Sequence, residues 1–126
     1  MWSRHPNLQE LTITVDKRTL DEFPRVLRAS TLPALRSLKL KCENYLASGK
    51  LTCPVLEGRF EQLNEIKIEG VSMKRNALDA VLRQVPNLTH LDLERNDIGA
   101  KGCGHLAEAL REHACPSLTH LHLQWI

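Results

Sequence analysis

The chain has 126 residues, enough for one compact unit. Its net charge of +2 is too small to single out nucleic acid or an acidic membrane surface as a partner. Aromatic residues are only 4%, so a core must be aliphatic, and no apolar run approaches the ~18 residues of a transmembrane helix.

Met1 to Pro6 holds no signal-peptide core. The pattern Leu-x-x-Leu-x-Leu, with isoleucine as a substitute, then occurs five times. The copies are Leu8-Gln9-Glu10-Leu11-Thr12-Ile13, Leu35-Arg36-Ser37-Leu38-Lys39-Leu40, Leu63-Asn64-Glu65-Ile66-Lys67-Ile68, Leu88-Thr89-His90-Leu91-Asp92-Leu93 and Leu118-Thr119-His120-Leu121-His122-Leu123. The end of each copy alternates apolar and polar, the period of a strand. Strands are predicted near 10–14, 37–41, 65–69, 90–94 and 120–124.

The segments between them read as helical or irregular returns. In the first, Thr19 and Glu22 fit a capping box, while Pro24 to Ala29 fits a helix begun at the proline. Gly49, Pro54 and Gly58 interrupt the second, Glu43 to Gln62, and leave room for one short helix at most. The third, Ser72 to Val85, carries Leu78, Val81, Leu82 and Val85 at helical spacing and ends at Pro86. In the fourth, Asn96 to Gly102 turns the chain and Cys103 to His113 reads as a helix. Leu106 and Leu110 share a face with Gly102, which would let the helix approach the sheet closely. Pro33, Pro86 and Pro116 each stand two residues before a motif leucine, where proline stops a helix and starts an extended segment.

A period in the twenties with this pattern resembles the leucine-rich repeat. The resemblance implies an α/β solenoid: a short right-handed horseshoe arc over residues 1–126, about four and a half repeats. Five parallel strands line its concave face and the returns its convex face. The run Leu88, Leu91, Leu93, Asn96, Ile98, Gly102, Leu106, Leu110, then Pro116, Leu118, Leu121 and Leu123, is similar to the long intracellular class. That class includes ribonuclease inhibitor, the sensor domains of NOD-like receptors and the Ran GTPase-activating protein. Asn96 resembles the family asparagine that bonds the turn after the strand. Asp16, Glu43 and Val71 stand at the equivalent positions, so the turns after the second and third strands should differ, as in the leucine-rich regions of F-box substrate receptors. Trp2 and Trp125 lie near ends that lack a polar cap. The expectation is a piece of a longer array, with self-association through uncapped ends as one consequence.

Alternation across the strands puts three columns of side chains on the concave face. They are Glu10, Ser37, Glu65, His90 and His120; Thr12, Lys39, Lys67, Asp92 and His122; and Thr14, Lys41, Glu69, Glu94 and Gln124. Charge changes sign along the arc, which suits orienting a protein partner, although any solvated strand face needs polar residues. The expected contacts are Lys39, Lys41, Glu65, Lys67, Glu69, His90, Asp92, Glu94, His120 and His122, and the expected partner is another protein, with neither nucleic acid nor membrane.

His90, Asp92, His120 and His122 would cluster if the last two strands pair in register. Histidine and aspartate can ligate zinc or nickel, and histidine titrates near neutrality. Cys42, Cys53, Cys103 and Cys115 lack zinc-ribbon or thioredoxin spacing and read as reduced thiols of a cytoplasmic or nuclear protein. Neither a Gly-x-Ser-x-Gly, a Walker loop nor a His-Glu-x-x-His motif is present, so no catalysis and no cofactor is expected. The resemblance to the Ran GTPase-activating protein implies one alternative, a catalytic regulator acting through Arg95.

Overall fold

The computed structural model describes residues 6–15, 27–28, 32–42, 49–51, 56–57, 59–73, 81–93, 99–112 and 115–123. Five strands form one parallel sheet in chain order: β1 (Glu10–Val15), β3 (Ser37–Cys42), β6 (Glu65–Glu69), β8 (His90–Asp92) and β9 (His120–His122). Two small parallel sheets stand beside it. One pairs β2 (Leu27–Arg28) with β5 (Leu56–Glu57), and the other pairs β4 (Gly49–Leu51) with β7 (Val71–Met73). The arrangement fits the α/β solenoid expected of stacked repeats.

The register follows from a repeated backbone device. The Gln9 carbonyl accepts Arg36 N and Ser37 N at 2.8 and 3.0 Å, and the Arg36 carbonyl accepts Asn64 N and Glu65 N, both at 3.0 Å. The Asn64 and Thr89 carbonyls repeat the step toward Thr89 with His90 and toward Thr119 with His120. A one-residue slip would turn every leucine outward, so this shared entry and the burial pattern enforce the same register. Ahead of the strands, Leu35 N donates to Leu32 O at 3.2 Å, Leu88 N to Val85 O at 3.2 Å and Leu118 N to Cys115 O at 2.9 Å. Each of these β-turns has proline next after its first residue, where a fixed φ is favoured.

The core lies between the sheet and the returns. Leu35, Leu63 and Leu88 are fully buried, and Leu38, Leu40, Ile66, Ile68 and Leu91 join them from the strands and Leu93 from just beyond β8. Burying each such side chain contributes about 1.5–3 kcal/mol before chain entropy is counted. Phe60, Val81, Leu82, Val85, Leu106, Ala109 and Cys115 close the core from other segments.

The returns differ from expectation. Leu27–Arg28 is a strand within the proposed 24–29 helix, and Gly49–Leu51 and Leu56–Glu57 are strands where one short helix was allowed. Val71–Met73 is a strand at the start of the third return, and only residues 81–84 of its described part are helical. Gly70, at φ 77°, separates β6 from β7. Glycine accepts this left-handed conformation without steric cost, and the chain leaves the main sheet there to join β4. The turn after the second strand, at 43–48, and the turn that holds Asn96 lie outside the described residues. The fourth return holds the one long helix among the described residues, Gly99–Glu112. It starts earlier than proposed and takes Gly102 out of the turn and into the helix. The expected strand ends near 94 and 124 also shorten, because β8 and β9 stop at Asp92 and His122. No helix among the described residues is long and apolar enough to cross a membrane.

Candidate functional site

Strand pairing assembles the polar columns. Glu10, Ser37, Glu65, His90 and His120 are successive register partners, as are Thr12, Lys39, Lys67, Asp92 and His122. Thr14, Lys41 and Glu69 form the third column, whose remaining members, Glu94 and Gln124, lie outside the described residues. Arg95 and Asn96 lie outside them as well. Ser37 departs from its column by being buried, whereas Lys39, Lys41, His90, His120 and His122 are exposed and Glu65, Lys67, Glu69 and Asp92 are half-buried.

Electrostatically the face is divided. Lys67 Nζ lies 3.8 Å from Asp92 Oδ2, so this pair is internally compensated. Lys39 stands between Thr12 and Lys67, and Lys41 between Thr14 and Glu69. Among the described residues, no ion pair involves Lys39 or Lys41.

The last two strands build a side-chain ladder that the residue-by-residue reading missed. Thr89 Oγ1 lies 2.9 Å from the Asn64 carbonyl, to which it donates, and 2.8 Å from His90 Nδ1. Thr119 repeats both contacts, at 3.2 Å to the Thr89 carbonyl and 2.8 Å to His120 Nδ1. With the hydroxyl hydrogen given to the carbonyl, the hydrogen in each threonine–histidine contact is carried by Nδ1. The rings stack, with centroids 4.1 Å apart and planes 6° apart. The signal was present in the sequence, because Leu-Thr-His-Leu occurs at 88–91 and again at 118–121.

Stacking also bears on metal binding. Imidazole lone pairs lie in the ring plane, so parallel rings aim theirs side by side instead of converging on one ion at ~2.0 Å. Among the described residues, no group of three or more histidine, cysteine or acidic side chains could hold a metal. Cys42, Cys103 and Cys115 are not in disulfides, and Cys53 lies outside the described residues. Burial pushes the Cys115 thiol up from 9.0 to about 11, which makes it a poor nucleophile at neutral pH.

The family described as "FBD-associated F-box protein At5g56370, LRR repeats" matches residues 2–117. The chain belongs to this leucine-rich repeat family. The match spans all but the ends of the sequence and covers each of the strands β1 to β8. No curated protein and no solved structure matches the chain. Leucine-rich repeats serve as interaction modules whose curved surfaces bind other proteins.

Proposed function

We propose that the chain is a non-enzymatic recognition module that holds a partner protein across its polar strand face, as the substrate-receptor region of an F-box protein. One observation carries this reading. Leucine and isoleucine take up the inner side of the internal strands, so the in-register polar columns, apart from buried Ser37, are displayed with no structural duty toward the core. The family description, which names an F-box protein, supports the substrate-receptor setting over a sensor region of the NOD-like kind. The likeness to the ribonuclease-inhibitor class is strongest where the helix Gly99–Glu112 follows β8. The proposed contacts are Lys39, Lys41, Glu65, Lys67, Glu69, His90, Asp92, Glu94, His120 and His122.

Proximity labelling with the full chain as bait tests the reading. Glu65→Arg with Asp92→Arg and His122→Ala alters the strand face. Arg83→Glu with Arg111→Glu alters exposed positions of the helical returns. The first set should abolish labelling of the partners and the second should preserve it, with circular dichroism verifying the fold of both. Partners retained by the first set and lost by the second would overturn the reading.

A further inference from the structure

Among the described residues, one corner of the strand face holds two lysines that enter no ion pair, although Glu69 stands beside one of them. Lys39 and Lys41 are exposed on β3, and Thr12 and Thr14 are exposed beside them on β1 at matching register positions. Lys67 differs, because Asp92 already takes up its charge. Lys39 and Lys41 are two residues apart on one face of a strand, so their attachment points repeat at about 6.6–6.8 Å. That is also the repeat of alternate side chains in an extended peptide. Ammonium groups only donate hydrogen bonds, and each has three hydrogens to give, so the groups they can accept are carboxylates and other oxygen acceptors.

We propose that this corner docks an extended acidic segment of a partner protein, with carboxylates at alternate positions seated on Lys39 and Lys41 and the Thr12 and Thr14 hydroxyls hydrogen-bonding beside them. The proposal rests on the strand face being the recognition surface. The surroundings select a peptide over a nucleic acid or an anionic membrane. Glu65 and Glu69 stand on the next strand, where they would repel a continuous polyanion but leave room for a strand-width ligand. The short patch also fits two carboxylates and not a long run of phosphates.

Fluorescence anisotropy at low salt, using the full chain and a labelled Thr-Glu-Thr-Glu-Thr-Glu-Thr peptide, is the test. Binding should be saturable, weaken with added salt, and weaken about tenfold in the Lys39→Ala, Lys41→Ala double variant. An isomer with its three glutamates adjacent should bind more weakly, and the glutamine version should not bind. Arg83→Ala with Arg111→Ala should leave affinity unchanged. The proposal is overturned if the acidic peptide does not bind, if the glutamine peptide binds equally, or if the double lysine variant binds as the wild type does. It is also overturned if phosphatidylserine vesicles bind through these lysines while the peptide does not. A natural partner that is lost with Glu65, Asp92 and His122 but is indifferent to Lys39 and Lys41 leaves strand-face recognition standing and removes the acidic site alone.

Discussion

The imidazoles of His90 and His120 lie parallel on neighbouring strands, 4.1 Å between centroids, and each is tied through Nδ1 to the threonine before it. The threonine is the element that orients the ring, since its hydroxyl also reaches the carbonyl of the preceding repeat. Replacing Thr89 with valine keeps the β-branched shape and removes both contacts. The expected loss is about 1 kcal/mol in urea unfolding, and Thr89→Ser should recover most of it. Nitrogen-15 spectra of the ring give an independent readout. Wild-type His90 should appear as the tautomer with hydrogen on Nδ1, and the valine variant should shift toward the mixture of a free imidazole. A wild-type ring with hydrogen on Nε2 would show the hydroxyl donating to the ring instead.

Leu91 and Leu121 occupy the same place in consecutive motifs, yet Leu91 is 1% exposed and Leu121 is 40% exposed. Leu91 lies on β8 between β6 and β9, whereas among the described residues β9 pairs with β8 alone. Leu91→Ala should therefore cost about 2–5 kcal/mol by transfer and cavity formation, and Leu121→Ala under about 1 kcal/mol. Parallel urea melts measure both. Equal losses would mean that Leu121 is covered in solution.

The strand columns were legible because two local rules act together there. Alternation sets the face, and the motif leucine sets the phase, so Thr12, Lys39, Lys67, Asp92 and His122 could be aligned by position alone. The returns were harder for a physical reason. Leu27 and Arg28 form a strand only because Leu56 and Glu57 lie beside them, and Gly49–Leu51 depends on Val71–Met73 in the same way. Such pairings are non-local, and segments of two or three residues carry no periodicity to announce them. The Thr–His ladder failed to stand out for a different reason. Columns treat each side chain as an independent contact, whereas Thr89 acts through its neighbour His90.

Gly104 lies inside the helix Gly99–Glu112, is exposed, and a β-carbon placed on it would meet nothing within 4 Å. Glycine raises the entropy lost on folding without any packing gain at this position. Gly104→Ala should stabilise the chain by about 0.5–1 kcal/mol, seen as a higher melting temperature in calorimetry. Gly70→Ala should act in the opposite direction, because φ at Gly70 is 77° and a side chain is strained there. A destabilised Gly104→Ala variant would mean that something packs against that face of the helix.

Cys115 is buried at the turn before the last motif, with φ 58°, an uncommon conformation for a residue with a side chain. Its Sγ lies 3.6 Å from the Val85 carbonyl and 3.9 Å from the Leu82 carbonyl, so the protonated thiol is a weak donor to the end of the preceding helical return. Desolvation raises its pKa from 9.0 to about 11. Below pH 9 the thiol is protonated in both the folded and the unfolded chain, and its contribution is constant. Between pH 9 and 11 the unfolded chain sheds the proton while the folded chain keeps it, so the unfolded state gains and stability falls. Cys115→Ser retains a donor that does not titrate in this range. From pH 8 to 11 the wild type should lose about 2 kcal/mol more than this variant in denaturant melts. Maleimide should also label half-buried Cys103 faster than Cys115 at pH 8. Matching pH profiles for the two proteins would show that the thiol is solvated in solution.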